Sequence, residues 1–175
     1  NFAAVQIDNL CIRAPWHAAA SGDVSGRYEL VIEPGQAFGT GEHPTTQLVV
    51  RWVHQFAESR SGVDSRWTVL DYGCGSGILA LAAVRFGADL AVGCDIDSRA
   101  VEIAVRNAKA NSCDSVARFG SNKFEAQIFD GCGYNVVLAN IFAGSLIDFC
   151  PVAYLVNPTV KSNLRATSLS PLSLK

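Results

Sequence analysis

The sequence predicts an α/β fold in which helices cover both faces of an open parallel sheet. Two observations lead to this prediction. Short, continuous apolar runs alternate along the chain with segments of helical periodicity, and this order is typical of right-handed parallel βαβ units. Hydrophobic residues make up 49% of the 175 residues and charged residues 17%, which is enough apolar material for the core of one domain.

The first part of the chain is predicted to contain few regular elements before a helix begins. Residues 1–35 are interpreted as a lead-in with one or two short strands, because Tyr28–Ile32 alternates and is rich in β-forming side chains. A glycine-rich loop follows over residues 36–44, and a helix is predicted from about Thr45. The apolar residues that recur at helical spacing on one face of this helix are Leu48, Val49, Trp52, Val53 and Phe56.

Strands and helices alternate from Thr68 onward. The apolar runs predicted to be buried strands are Thr68–Asp71, Leu90–Asp95, Val116–Phe119 and Asn135–Ile141. The predicted helices are Ile78–Phe86, a segment from an N-cap at Ser98 to about Asn111, and Gly144–Leu155. Gly87 is expected to end the first of these helices. Each strand–helix–strand unit should place its two strands parallel in the same sheet.

Composition and cysteine spacing argue against several function classes. Lys and Arg total 14 and Asp and Glu total 16, giving a net charge of −2, whereas nucleic-acid-binding proteins usually carry a basic excess. No apolar run approaches the length of about 18 residues that a membrane span needs, and no secretory leader opens the chain. The six cysteines form no C-x-x-C pair, so we expect free, buried thiols in a reducing compartment rather than zinc ligands or disulfides.

A glycine-rich loop follows the first predicted strand of the parallel sheet. In such sheets, ligands bind beyond the carboxyl ends of the strands, where the strand order reverses. Gly73, Gly75 and Gly77 occupy alternate positions in the segment Asp71–Gly77, and three glycines are more than a simple turn needs. We therefore interpret this segment as a ligand-binding loop, with a purely structural turn as the alternative.

A carboxylate ends the next predicted strand. Asp95 lies 22 residues after Gly73, at a position from which a carboxylate can accept hydrogen bonds from both hydroxyls of a ribose. The alternative is that Asp95 only favours the following helix, but Ser98 is predicted to cap that helix and Asp97 to be a solvated residue of its first turn. Ile78 replaces the third glycine of a dinucleotide-binding G-x-G-x-x-G motif, which weakens an NAD-binding interpretation without removing it.

Three segments resemble known methyltransferases. The segment Asp71–Ala80, followed by the strand-end Asp95, resembles the class I S-adenosylmethionine-dependent methyltransferases, which have a Rossmann-like fold. Glu33–Thr46 (EPGQAFGTGEHPTT) and Val137–Ile141 (VLANI) resemble two blocks of the PrmA family, the methyltransferases of ribosomal large-subunit protein 11. The three blocks occur in the family's order and together span about residues 30–147.

The resemblance implies S-adenosyl-L-methionine as the cofactor and assigns residues to it. The residues implied to contact the cofactor are Thr46, Gly73, Gly75, Gly77, Asp95 and Asn140. Asn140 is also implied as the catalytic residue that orients the substrate amine. The N-terminus of the helix near Thr45 presents free N–H groups, which suit the carboxylate of methionine. We interpret His43 as structural, because the following proline fixes its local geometry.

The resemblance also implies the domain organisation. Residues 36–158 are expected to form an S-adenosylmethionine-binding methyltransferase domain, with residues 1–35 as the linker from a preceding N-terminal domain. The family's sheet continues after its fourth strand, whereas residues 159–175 are rich in Ser and Leu and show neither strand nor helix periodicity. We therefore expect a sheet truncated before its C-terminal strands and a disordered tail. Because Met is absent and Asn1 opens the chain, we expect a longer natural protein.

The activity implied is methyl transfer from S-adenosylmethionine to lysine amines of ribosomal large-subunit protein 11, with an N-terminal amine as a further target. Because the family's C-terminal strands are missing, a cofactor-binding fragment without turnover is the first alternative, and an NAD-binding protein is the second. We expect no metal, no direct contact with nucleic acid or membrane, and a monomer. The expected compartment is the cytoplasm, or an organelle interior (chloroplast or mitochondrion) in a eukaryote.

Overall fold

The computed structural model describes five parts of the chain, residues 2–18, 28–34, 39–60, 66–121 and 133–141. Its strands are β1 (Val5–Ile7), β2 (Leu10–Arg13), β3 (Tyr28–Val31), β4 (Thr68–Tyr72), β5 (Leu90–Asp95), β6 (Ala117–Ser121) and β7 (Val136–Ala139). Its helices are α1 (Pro44–Ser59), α2 (Ile78–Arg85) and α3 (Ser98–Ala110). The helix predicted at Gly144–Leu155 and the tail predicted at 159–175 lie outside the described residues.

A four-stranded parallel sheet organises the larger part of the described chain. Its strand order is β6-β5-β4-β7, and all three pairings are parallel. The chain runs outward from β4 through β5 to β6, and then returns to the opposite side of β4 with β7. This order confirms the predicted parallel sheet. It also places the reversal of strand order between β4 and β7, where open α/β sheets bind ligands.

Helix α2 lies at the centre of the core. Its residues from Ile78 to Ala83 are all buried, and the helix packs on α1, β4 and β5. Three alanines keep its surface narrow, so that strands and helices can approach it closely from several sides. The helix ends one residue before the predicted limit, and Gly87 follows with a φ of +100°, a conformation that glycine adopts freely.

Residues 1–35 contribute more structure than the sequence predicts. β1 and β2 pair antiparallel, β2 and β3 pair parallel, and together they form a separate three-stranded sheet. The expectation of one or two strands is too low, because strands of three or four residues are too short to show a periodicity. The boundary expected at residue 35, between a linker and the methyltransferase domain, stays a prediction. The side chains that this sheet contributes to one apolar core with α1 and α2 are Ile7, Leu10, Ile12 and Leu30.

The buried face of α1 differs from the predicted one. Thr46, Val50 and Val53 are its buried residues, whereas Leu48 and Trp52 are 64% and 50% exposed. The prediction is wrong for Leu48 and Trp52 because it counted only apolar residues. With the polar Thr46 included, the buried positions follow one another at intervals of four and three residues, and they define a face rotated away from the predicted one.

Candidate functional site

The carboxyl ends of β4, β5 and β7 lie at one edge of the parallel sheet and bring together the residues that the sequence singles out. The glycine loop follows β4, Asp95 ends β5, and Asn140 follows β7. Because β4 pairs with β5 on one side and with β7 on the other, the loop lies between Asp95 and Asn140 in the strand order. Thr46 reaches the same edge from the first turn of α1.

The glycines of the loop are needed for its backbone geometry. Gly73, Gly75 and Gly77 have φ values of +72°, +54° and +80°, a region that residues with a side chain rarely adopt. A Cβ on Gly73 would overlap the Cγ2 methyl group of Ile141, and a Cβ on Gly77 would lie 2.9 Å from the ring of Phe119. Gly73 and Gly77 are thus required by packing within the protein, whatever the loop binds.

Hydrogen bonds fix the loop against the end of β5. The N–H groups of Gly73 and Cys74 both donate to the carbonyl oxygen of Cys94, at 2.8 and 2.9 Å. The N–H of Gly75 donates to Oδ2 of Asp95 at 2.8 Å. The strand end that carries the predicted ribose-binding carboxylate therefore also sets the position of the loop.

The Asp95 carboxylate is only partly used by the protein. Its Oδ2 accepts from Gly75, and its Oδ1 accepts from the N–H of Asp97 at 3.0 Å. A carboxylate offers about four lone-pair directions, so these two bonds leave acceptor capacity on both oxygens. Asp95 is half-buried. It therefore remains able to accept hydrogen bonds from the hydroxyls of a ligand.

The start of α3 corrects one prediction. Asp97, not Ser98, is the N-cap, since its φ and ψ of −86° and 112° are extended and its side chain accepts from the N–H of Arg99 at 3.0 Å. Asp and Ser are both good N-caps, so the sequence alone does not distinguish two adjacent candidates. Hydrogen bonds from the Arg99 side chain and backbone lower the pKa of the Asp97 carboxyl. Because Asp97 caps α3, the Asp95 carboxylate is not needed as a helix cap.

A second carboxylate is buried at the end of β4. Asp71 is 1% exposed, its Oδ2 accepts from the N–H of Ala80 at 3.1 Å, and its Oδ1 has no hydrogen-bond partner among the described residues. Burial, with a smaller contribution from the charge of Asp95, raises the pKa of Asp71 to about 7. The sequence shows Asp71 only as the start of a motif. The unsatisfied buried oxygen, a sign of a functional site, is visible only in the structure.

The cysteine in the loop is not a nucleophile. Cys74 is buried, and burial raises the pKa of its thiol far above the usual range, with the charges of Asp71 and Asp95 adding to the effect. Because the thiolate is the reactive form of cysteine, burial of this thiol and the raised pKa disfavour a nucleophilic role. The described cysteines form no disulfide with one another; they are Cys11, Cys74, Cys94 and Cys113.

On the other side of the loop, two side chains form a pair. Nδ2 of Asn140 donates to Oγ1 of Thr46 at 3.1 Å, across 94 positions of sequence. Thr46 is 1% exposed and Asn140 is half-buried. Because Thr46 holds the amide nitrogen, the carbonyl oxygen of Asn140 is the group that can accept a hydrogen bond from a ligand, and it carries no charge.

His43 has the structural role that the sequence predicts. It is the N-cap of α1, its Nδ1 accepts from the N–H of Thr45 at 3.3 Å, and Pro44 occupies the first helical position. The hydroxyl of Thr46 is therefore not needed for capping, and it accepts from Asn140 instead.

One residue of this edge was missed by sequence reasoning. Ile96 directly follows Asp95 and is 82% exposed. A large apolar side chain beside a hydrogen-bond acceptor suits a ligand that has both a flat apolar ring and hydroxyl groups. Ile96 belongs to no motif, and its exposure could not be inferred from the apolar strand that precedes it.

Two other kinds of site are not found in the described part of the chain. No group of three or more His, Cys, Asp or Glu side chains is placed there to hold a metal ion. Within the same residues, no helix has both the length and the apolar character needed to span a bilayer. The candidate site consists of a backbone loop, two carboxylates, a neutral polar pair and the exposed Ile96.

Comparison with known proteins decides the family. The family model described as ribosomal protein L11 methyltransferase (PrmA) matches residues 1–163. The chain belongs to the PrmA family. The match includes all three segments that resemble the family and all the predicted site residues. It favours the methyltransferase interpretation over the NAD-binding one that the glycine spacing left open.

Curated PrmA relatives are similar over most of this chain. The ribosomal protein L11 methyltransferase of Nitrosomonas europaea is 42% identical over 129 residues, which are 70% of this chain and 39% of that protein. That of Methylobacillus flagellatus is 39% identical over 144 residues, which are 82% of this chain and 44% of that protein. The chain thus spans less than half the length of these PrmA relatives.

Solved structures share the fold. The ribosomal protein L11 methylase of Lactobacillus delbrueckii subsp. bulgaricus has a TM-score of 0.63 at 28% identity, over 84% of this chain and 70% of that chain. The N-terminal domain of human METTL16 in complex with SAH has a TM-score of 0.50 at 16% identity, over 65% of this chain and 49% of that chain, which shows a common fold only. This PrmA chain therefore has the class I methyltransferase fold that its motifs imply.

Proposed function

We propose that this chain forms the S-adenosylmethionine-binding and methyl-transfer site of a ribosomal protein L11 methyltransferase, which acts on lysine side chains and on the N-terminal amine. The observation that carries the proposal is the meeting of the glycine loop, Asp95 and the Thr46–Asn140 pair at one sheet edge of a PrmA family member. The names of the curated relatives and of the solved L11 methylase support the choice of substrate.

The residues at this edge fit the proposed cofactor. S-adenosylmethionine carries positive charge, and two carboxylates flank the loop, of which Asp71 has an unpartnered oxygen within the described structure. Asp95 would hold the ribose hydroxyls with its remaining acceptor capacity. Ile96, which is 82% exposed beside it, offers an apolar surface to the adenine ring. When bound, the cofactor supplies a methyl group activated by a sulfonium centre.

The Thr46–Asn140 pair suits an amine as the methyl acceptor. A lysine ammonium has an ordinary pKa of about 10.4, so it must lose a proton before its nitrogen can attack. A desolvated site beside a positive charge lowers that pKa. The carbonyl oxygen of Asn140 then accepts a hydrogen bond from the neutral amine, while Thr46 keeps the amide from rotating.

The proposed transfer is a direct displacement. With the cofactor bound, the amine nitrogen would form a bond to the methyl carbon as the carbon–sulfur bond breaks, and the proton of the new ammonium group would pass to solvent. Asn140 is too weak a base to take that proton, so its role is to orient the amine. The protein contributes alignment and desolvation, which together are worth several kcal/mol of the barrier in enzymes of this kind.

Methyl transfer from labelled S-adenosylmethionine to purified ribosomal protein L11 tests the proposal. We expect label on L11, at lysines and at the N-terminal amine when the product is mapped by mass spectrometry, and no label with Asn140→Ala. A folded chain that binds S-adenosylhomocysteine but transfers no methyl group would instead be a cofactor-binding fragment.

A further inference from the structure

A buried asparagine joins two segments that lead to the candidate site. Asn107 of α3 is 1% exposed. Its Oδ1 accepts from the N–H of Glu33 at 2.9 Å, and its Nδ2 donates to the carbonyl oxygen of Ser76 at 2.9 Å. One side chain therefore ties the segment after β3 to the glycine loop, although these segments lie 74 and 31 positions away from it in sequence.

Ser76 makes a second connection between the same segments. It is 2% exposed, and its hydroxyl donates to the carbonyl oxygen of Gly39 at 2.6 Å. A Cβ on Gly39 would lie 2.9 Å from that hydroxyl at a φ of +109°, so this close approach depends on glycine. Glu33 and Gly39 are thus both tied to Ser76, the first through Asn107 and the second directly.

The connection continues from Gly39 to the start of α1. The carbonyl oxygen of Gly41 accepts from Nε2 of Gln47 at 3.2 Å. Gln47 follows Thr46 in the first turn of α1. The contacts therefore form a continuous series from α3, through the glycine loop, to the turn that carries Thr46.

We propose that Asn107 and Ser76 are positioning residues for methyl transfer. They hold the segment that leads into α1 against the glycine loop, and the position of that segment sets Thr46 against Asn140. The catalytic consequence rests on the proposed function, whereas the positioning itself needs no cofactor. Removal of the Ser76 hydroxyl leaves the partly buried Gly39 carbonyl without this donor, and loss of the Asn107 amide leaves the buried Ser76 carbonyl without its donor, so either change relaxes the segment locally.

Asn111, the C-cap of the same helix, provides a matched control. It lies one turn beyond Asn107 and is 4% exposed. Its side chain accepts from the N–H of Val31 at 2.9 Å and donates to the Val31 carbonyl oxygen at 2.6 Å. Within the described residues, its Nδ2 also donates to the carbonyl oxygen of Asn107, and its Oδ1 also accepts from the guanidinium group of Arg85. Asn111 therefore ties α3 to β3 without a bond to the glycine loop.

The side-chain amide of Asn140 reports the positioning directly. In a proton–nitrogen correlation spectrum of the full 175-residue chain, its NH₂ signals can be assigned from their loss in Asn140→Asp. We expect Ser76→Ala and Asn107→Asp to shift these signals, because Thr46 is displaced from Nδ2. Asn111→Ala should leave the signals in place, although it lowers the melting temperature.

The rate of methyl transfer to L11 gives a second readout. We expect Ser76→Ala and Asn107→Asp to lower kcat about tenfold with a smaller change in KM, and Asn111→Ala to change kcat less than about twofold where it is folded. Unchanged Asn140 signals in a folded Ser76→Ala variant would overturn the proposal, as would equal shifts in Asn111→Ala. If the amide signals respond as expected but the wild-type chain transfers no methyl group, the positioning stands and the proposed function fails.

Discussion

The two sides of β4 present their functional groups by different means. On the β5 side, three successive N–H groups of the glycine loop are fixed by the end of β5, two by the carbonyl oxygen of Cys94 and one by the Asp95 side chain, so most of the geometry belongs to the main chain. On the β7 side, one hydrogen bond joins the side chains of Thr46 and Asn140. A site made by the main chain should fail together with the fold, whereas a site made by side chains can fail alone. The following substitutions test this difference.

Gly73→Ala should have the largest effect, because it disturbs the main chain of the glycine loop at the point where the loop packs against Ile141, beyond the end of β7. The new Cβ would overlap Ile141 at a φ of +72°, where a side chain is already strained. We expect the free energy of unfolding in urea to fall by about 3 kcal/mol or more. We also expect calorimetry to detect no binding of S-adenosylhomocysteine, the demethylated product of the proposed cofactor.

Gly87→Ala is the matched control for Gly73→Ala. Gly87 also has a positive φ, +100°, but a Cβ there would have no atom within 4 Å. Only backbone strain remains, so the free energy of unfolding should fall by about 1–2 kcal/mol and cofactor binding should be retained. Equal effects of the two substitutions would contradict a role for close packing at Gly73.

The pH dependence of stability tests the buried carboxylate of the β5 side. Burial raises the pKa of Asp71 to about 7, so between about pH 4 and 7 the folded chain binds a proton that the unfolded chain has released. The free energy of unfolding should therefore fall as the pH rises through this window, by roughly 1 kcal/mol per pH unit from this group. Above pH 7 the cost of the buried charge is fully present.

Asp71→Asn isolates most of this contribution, since groups that do not interact with Asp71 titrate equally in both proteins. The variant should have a flatter pH dependence in urea unfolding and should be the more stable protein above pH 7. An identical slope in wild type and variant would show that the Asp71 carboxylate does not titrate in this range.

Asp95→Asn should have a smaller effect, mainly on binding. The carboxylate uses both oxygens to fix Gly75 and Asp97, whereas an amide offers only one acceptor oxygen. We expect calorimetry to show S-adenosylhomocysteine binding weakened about tenfold to a hundredfold. Asp97→Asn is the control, because Asn caps a helix as well as Asp does, and it should change affinity less than about twofold. Similar losses of affinity in Asp95→Asn and Asp97→Asn would indicate a general effect of removing a negative charge.

Thr46→Val should have the smallest effect and should separate the two sides of β4. The substitution keeps the size of the side chain and removes the hydroxyl that holds Asn140. Although the resemblance implies a cofactor contact at Thr46, its hydroxyl is buried and bonded to Asn140. We therefore expect kcat for methyl transfer to fall about tenfold, S-adenosylhomocysteine binding to weaken less than about threefold, and the free energy of unfolding to change by about 1 kcal/mol. Thr46→Ser keeps the hydroxyl and should retain most of the rate. If Thr46→Val weakened S-adenosylhomocysteine binding as much as Asp95→Asn does, the two sides of β4 would not act independently in cofactor binding and methyl transfer.

The β5 side could be predicted from the sequence because its parts are close along the chain. Asp71 and Asp95 are 24 positions apart, and each ends an apolar run that is recognisable as a buried strand. The parallel pairing then follows from the alternation of strands and helices, whereas the position of the switch point is given only by the strand order of the folded chain. The structure was needed to choose between Asp97 and Ser98 as the N-cap, and to show the unpartnered oxygen of Asp71 and the exposure of Ile96.

The β7 side and the α3 contacts depend on segments that meet only in the folded chain. Periodicity predicts where α1 begins but not that the polar Thr46 is buried against Asn140, and this is why Leu48 and Trp52 were assigned to the wrong face. Asn107 belongs to no motif used in the prediction. Its two bonds join backbone groups that are far apart in sequence, so nothing in the local pattern indicates them.

Calorimetric titration of the 175-residue chain with S-adenosylhomocysteine, and in parallel with NAD, tests the central claim most directly. Circular dichroism would first establish that the chain is folded. We expect saturable binding of S-adenosylhomocysteine at one site and no binding of NAD. A folded chain that fails to bind S-adenosylhomocysteine, or that binds NAD in preference to it, would contradict a cofactor site at the switch point between β4 and β7.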